Sequence, residues 1–353
     1  MKVFTIILGT RFSVLMKLIL RNGITLYPKY IARFLLLLVN SLISSSLILA
    51  ERKNFGRKTR ETEIALAPVF IIGHWRTGST LLHQLINLDP QFTTPTLVQT
   101  AIPDHFLFST KYYIPLMKRA MPKSRPMDNV PLTPFEPQEE EFALIRMGSE
   151  SPVEKLIFPS GKSYFLKGYD HYVPTGKKLK YWKKNLLTFF KKITLQTGKQ
   201  IVSKNPYHTM RIELLAAMFP GAKFIHITRD PMIVVPSTIR MWNIVADQNS
   251  LKRGWKKPGV DETASVLRKY LDHVAEVSRK LDNPFTEVRF ENLDGAPLDT
   301  LKRIYSELDL NWTEEFENAA GEFLSTNSGY QQNIYNLSMK EQETIRHYHP
   351  REK

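Results

Sequence analysis

The chain has 353 residues, 42% of them hydrophobic, no cysteine and a formal net charge of +15. That length and apolar share suffice for one or two domains with a sizeable core. The lack of cysteine excludes a disulfide framework and any thiolate metal site, and the nine histidines show no H-E-x-x-H or similar spacing, so no dedicated metal site is expected.

The charge is concentrated at one end. Residues 1–60 hold eleven Lys/Arg against one acid, Glu51, whereas the other 293 residues hold 38 basic and 33 acidic groups. So basic a chain would first suggest nucleic acid. The basic residues, however, sit in the most apolar part of the sequence, which points to an anionic membrane surface and away from nucleic acid. Two apolar blocks occur there, "VFTIILGTRFSVLMKLIL" and "FLLLLVNSLISSSLILA". The second, residues 34–50, is 17 residues without a charge, at the lower edge of spanning length. The first is interrupted by Arg11 and Lys17, which a spanning helix tolerates poorly. A cleavable signal peptide fits badly, because Lys2 is the only early charge and no A-x-A site follows. Six basic residues precede Phe34 and five lie in 52–60, a balance that favours helices lying in the interface over a single span. A short transmembrane anchor ranks second, and helices packed on the domain itself rank third.

After the basic stretch "ERKNFGRKTRETE", which reads as a linker, strands and helices alternate. Apolar runs at residues 69–73, 200–203, 223–228 and 286–290 read as buried strands. Helical patterns lie at 80–88, 103–121, 179–195, 209–219, 232–242 and 262–281. The alternation predicts an α/β fold: a P-loop-like parallel sheet flanked by helices, with an apolar N-terminal helical extension. Residues 122–137 are proline-rich and read as a surface loop before a helix carrying "QEEEFALIRMG". No internal repeat or low-complexity tract occurs.

The first strand runs into "GHWRTGST", Gly73 to Thr80. Strand, glycine loop and helix place backbone N–H groups and a helix N-terminus around a bound anion. Gly73 and Gly78 permit the tight backbone, and Ser79 and Thr80 can donate hydroxyl hydrogen bonds. The Walker pattern G-x-x-x-x-G-K-[ST] is incomplete, because Ser79 fills the lysine slot and the cation, Arg76, comes three residues earlier. Loss of that lysine argues against hydrolysis of ATP or GTP. A second element, "FIHITRDPMIVVPSTIRMW", sends Arg229 from a strand end, places Pro231 at a helix start, and carries Ser237 eight residues after the arginine. An arginine fork with a hydroxyl is a suitable seat for a monoester phosphate.

Taken together, "RTGST" and R-D-P-x-x-x-x-x-S resemble the 5′- and 3′-phosphate motifs of sulfotransferases that use 3′-phosphoadenosine 5′-phosphosulfate (PAPS). "VSKNPYHTMRIELLAAMFPGAKFIHITRDP", "PQEEEFAL" and "VRFENL" are further matches, and they resemble the bacterial-type branch whose members often begin with apolar helices. The resemblance covers about residues 65–340. It implies a membrane-associating helical segment over 1–60 and a cytoplasmic catalytic domain over 61–353, transferring a sulfuryl group from PAPS to a hydroxyl acceptor, without a metal, and releasing PAP. A lipid, glycolipid or polysaccharide acceptor would suit membrane attachment. Arg76, Thr77, Gly78, Ser79 and Thr80 would then hold the 5′ side of the nucleotide, and Arg229 and Ser237 the 3′-phosphate. PAPS has no γ-phosphate, so Arg76 can reach the bridging oxygen. Lys204, at the end of "KQIVSK", falls where the family places a catalytic lysine.

The acceptor hydroxyl needs a base, which the family draws from glutamate or histidine at varying positions. Glu139 and Glu141 are favoured over Glu140, because successive helical residues turn by about 100° and few can face one cleft. His208 is the rival, although it also suits a role in ordering its strand–helix turn. The family usually closes a basic late loop over the nucleotide, but "STNSGYQQNIYNLS" here has no basic residue. Either Ser325, Asn327 and Tyr330 give neutral contacts, or Lys340 and Arg346 reach back. A P-loop kinase or NTPase, and a non-catalytic membrane-bound member of the fold, are the competing readings.

Overall fold

The computed structural model describes residues 5–23, 28–121, 132–162, 173–326 and 335–350. Contacts divide the chain into two compact units. One comprises residues 65–94, 199–240 and 258–353, and the other residues 1–64, 95–198 and 241–257.

The unit that begins at residue 65 is built on a five-stranded sheet: β1 Val69–Ile72, β2 Phe92–Thr93, β3 Gln200–Lys204, β4 Lys223–Thr228 and β5 Phe285–Arg289. All neighbouring strands pair in parallel, in the order β2-β3-β1-β4-β5. β1 is buried throughout, as expected of a central parallel strand covered on both faces. β5, at the edge, alternates buried and open positions. One face of the sheet presents Ile71, Val202, Ile225 and Val288 to a core that also takes in Leu82, Leu85, Ile304 and Tyr305. On the other face Phe70 stacks on Phe224, ring centroids 5.6 Å apart.

The four expected strands are present within a residue or so of their sequence bounds. β2 was not expected, since two residues are too few to carry any periodicity. The helix expected over 209–219 opens instead with a 3-10 turn, Pro206–Arg211, whose first amide at Tyr207 donates to the Asn205 side chain, before the α-helix Ile212–Met218.

The other unit contains the apolar N-terminus. Helix Phe12–Asn22 buries Val14, Leu15 and Leu18, and the residues before it bury Ile6, Ile7 and Thr10. A second helix, Pro28–Glu61, runs 34 residues and so continues through the stretch that reads as a linker. Lys and Arg are good helix formers, and Lys58 and Arg60 in the last turn oppose the negative end of the helix dipole. Leu37, Ser41, Ser44, Ile48 and Glu51 form its inward stripe, with the 4-3-4-3 spacing of one helical face. Residues 1–64 thus pack with 95–198 and 241–257 in one compact unit and line its core.

Within that core Lys192 Nζ lies 2.5 Å from Glu51 Oε1, both side chains nearly sealed from solvent. Lys192 also donates to the Pro103 carbonyl at 2.6 Å, and Glu51 accepts the Phe108 amide at 2.8 Å. Burial pulls the Lys192 pKa down against the attraction of Glu51. Removing one partner strands a buried charge, so Glu51→Ala is expected to cost about 3–5 kcal/mol in urea unfolding. Glu51→Leu combined with Lys192→Met should recover most of that loss. If Glu51→Ala is neutral, the pair does not hold the long helix in place.

Candidate active site

The glycine loop leaves β1 at Ile72 and ends where helix Ser79–Ile86 begins. Gly73 has φ 140°, and a Cβ there would lie 2.4 Å from the Ile227 carbonyl oxygen. Its amide donates to Thr209 Oγ1 at 2.8 Å, which ties the loop to the turn after β3. Gly78 has φ 89°, and a Cβ there would stand 2.0 Å from the Phe290 ring. Neither position admits a side chain without displacing its neighbour. Between them Arg76 adopts φ 70°, a left-handed conformation that costs a residue with a Cβ about 1–3 kcal/mol and is concentrated at ligand clamps. Thr77 donates its hydroxyl to the His74 carbonyl at 2.8 Å and closes the turn from within.

β4 delivers the second element. Arg229 follows its last residue, Thr228, and the guanidinium carbon lies 4.1 Å from the centroid of the Phe290 ring. Asp230, where a Walker B carboxylate would end the strand, instead accepts the Met232 amide at 2.8 Å and caps the helix Pro231–Asn249. In that helix Ser237 accepts a hydrogen bond from Arg76 Nε at 2.8 Å. The glycine loop and the R-D-P helix, 161 residues apart in sequence at this contact, thus meet side chain to side chain. Lys204 ends β3 in register with Ile71 of β1 and is largely buried. Because the order is β3-β1-β4, Lys204, the loop and Arg229 all rise from the carboxyl ends of adjacent strands, where α/β sheets bind their ligands.

A Sulfotransferase family profile matches residues 68–314. Proteins of Mycobacterium bovis and Mycobacterium tuberculosis named omega-hydroxy-beta-dihydromenaquinone-9 sulfotransferase Stf3 are each 34% identical over 341 residues, covering 96% of this chain and 87% of theirs. The chain belongs to the sulfotransferase family. Its fold is also that of the crystal structure of sulfotransferase STF9 from Mycobacterium avium, with TM-score 0.65 at 17% identity and 96% of each chain covered.

This sulfotransferase keeps its acidic run in the unit that holds the N-terminus. The expected helix carrying the run begins only at Glu141 and ends at Arg146, so Glu139 precedes it and Glu140 occupies its N-cap. The 100° steps of a helix do not extend across that boundary. Glu140 and Glu141 are buried, and Glu141 accepts the Ser151 hydroxyl at 2.6 Å. Glu139 is half-buried. Arg146 donates to the carbonyls of Leu8, Thr100 and Phe142, and burial lowers its pKa to about 9. His208 is fully buried, with its ring edge-on to Phe70 at 5.6 Å and its Nδ1 3.5 Å from the Arg211 guanidinium.

Thr77 and Ser79 are buried and Thr80 is half-buried at the start of the helix after the loop. Asn327 and Tyr330 lie outside the described residues. Ser325 closes on the Glu322 carbonyl at 2.8 Å, and Arg346 donates to Gln342 at 3.2 Å. Lys340 and Arg346 are both exposed on helix Met339–Tyr348. Two residues emerge that the sequence did not single out. Phe290 fills the space Gly78 leaves and supports Arg229; its only signal was its place in "VRFENL". Tyr335 reaches Ser237 with its hydroxyl, 3.1 Å away. A tyrosine in a segment free of basic residues carries no local signal of that contact.

Proposed function

We propose that this sulfotransferase draws its sulfuryl group from PAPS and delivers it to a hydroxyl on a lipid at a membrane surface, with the catalytic part cytoplasmic. The observation that carries the donor reading is the Arg76–Ser237 contact, which joins two phosphate-type motifs into one cradle beside Arg229. A nucleotide with phosphates on both sides of one ribose calls for two such seats. The backbone space held open at Gly73 and Gly78 suits close approach of one phosphate. Arg229 and Ser237 suit the other.

PAPS supplies a sulfuryl group already activated by its bond to the 5′-phosphate. Arg76 and Lys204 supply fixed positive charge where the departing phosphate oxygen becomes negative. Glu139, the half-buried member of the acidic run, takes the proton of the acceptor hydroxyl as general base.

The relatives named above act, by their name, on a menaquinone bearing an omega-hydroxyl, which supports an acceptor of lipid class. The helix Pro28–Glu61 supports the membrane part. Among the described residues it is the one helix long and apolar enough to cross a bilayer. Yet its inward stripe is packed on protein, while Ile31, Leu35, Val39, Leu42, Ile43 and Leu49 are exposed. Exposed Arg52, Lys53, Arg57, Lys58 and Arg60 follow. A helix held along one side, apolar on the other and basic at its end fits the plane of an anionic bilayer better than a path through it.

The test is transfer itself. Incubated with PAPS, the protein is expected to release PAP and form sulfated product with a membrane-lipid extract, and not with a water-soluble extract. PAP should raise the melting temperature, whereas ATP and GTP should not, because only a ligand of the folded state stabilises it. Stabilisation by ATP alone would overturn the donor reading. Sulfation confined to the water-soluble extract would overturn the lipid one.

A further inference from the structure

We propose that Tyr335 is a positioning residue for donor selectivity: it fixes the Ser237 hydroxyl as a hydrogen-bond donor to the 3′-phosphate of the nucleotide. The proposal rests on the donor reading above. A serine hydroxyl has one proton and two lone pairs. Arg76 Nε–H donates to Ser237 Oγ at 2.8 Å, and the Tyr335 hydroxyl donates to the same oxygen at 3.1 Å. With both lone pairs engaged, the serine proton is the only hydrogen-bonding capacity left, and it can serve only an acceptor.

Serines inside helices ordinarily spend that proton on the carbonyl of the preceding turn. Ser41, Ser45 and Ser109 of this chain all do so, at 2.6–2.8 Å. Among the described residues Ser237 shows no such bond, although it too lies within a helix and is only 5% exposed. A nearly sealed hydroxyl with its acceptor sites filled and its proton uncommitted is a preorganised anion donor, in direct contact with Arg76 of the glycine loop.

This assignment also accounts for the late segment. Where a basic loop would add charge over the nucleotide, Tyr335 adds a neutral phenol that acts through Ser237. Selectivity for the 3′-phosphate then depends on one oriented hydroxyl in addition to Arg229.

The experiment measures calorimetric affinity for PAP and for AMP, which lacks only the 3′-phosphate, in the full-length protein. Tyr335→Phe removes the phenol oxygen and keeps the ring. It is expected to weaken PAP about five- to tenfold, the scale of one hydrogen bond, and AMP less than about twofold. In a Ser237→Ala background the same change should add nothing, because the two act as one unit. Equal losses for PAP and AMP, an unchanged PAP affinity, or an additive loss in the Ser237→Ala background would each overturn the proposal. A wild-type protein that does not prefer PAP to AMP would overturn the donor reading and this proposal together, whereas an undiminished preference in Tyr335→Phe overturns this proposal alone.

Discussion

Arg229→Ala is expected to weaken PAP by about 100-fold or more while leaving AMP within about threefold. A charge-assisted hydrogen bond contributes roughly 1.5–3 kcal/mol, and a fork that makes two of them reaches this range, since 1.4 kcal/mol is a factor of ten. The orientation is built in before ligand arrives. The guanidinium stacks on Phe290 at 4.1 Å, and that ring is itself held by the close approach of Gly78. Arg229→Lys keeps the charge but loses both the planar fork and the stacking, so its PAP affinity should fall between wild type and alanine. Calorimetry with the two nucleotides decides the matter. Equal losses for PAP and AMP would mean that Arg229 supports the fold of the loop and does not read the 3′-phosphate.

Lys204→Ala is expected to lower kcat by about 10²–10³ with PAP affinity within a few-fold of wild type, the signature of a cation that acts on charge developing in the transition state. The strand order is the reason to expect this. Lys204 ends β3 in register with Ile71, so its backbone ends beside the loop that begins at Gly73. Arg76→Ala should show the same split with an added loss of affinity, because it also removes the contact to Ser237. Single-turnover assays separate the two effects, and a variant with raised KM and normal kcat would reduce either residue to nucleotide holding. The same assay tests the base. Glu139→Gln should abolish transfer and retain PAP binding, whereas Glu141→Gln, which keeps an acceptor for the Ser151 hydroxyl, should stay near wild type. The reverse result would move the base to Glu141.

Much of the fold was legible because it is written in local signals. Short apolar runs bounded by Gly, Pro and Asn marked β1, β3, β4 and β5, and their alternation with helical patterns required a parallel sheet. Gly73 and Gly78 announced a tight loop, and Pro231 after Arg229-Asp230 announced a helix start, since each residue acts on its own backbone. Where local signals compete, the pattern misleads: the charged stretch 51–61 looks like a linker, yet its Lys, Arg and Glu residues are helix formers joined to a helix already nucleated. The two-residue β2 has no pattern to read and exists because β3 offers it a partner.

The site was decided by tertiary structure. Arg76 adopts its left-handed backbone only because the loop is anchored at Thr209 and packed on the sheet ends. Its bond to Ser237, the seat of Arg229 on Phe290 and the reach of Tyr335 join segments far apart in the chain. No residue spacing encodes such contacts, because they follow from which strands lie side by side. With β3, β1 and β4 adjacent, the carboxyl ends of three strands converge at one end of the sheet, and only there do a lysine, an arginine loop and a second arginine come together.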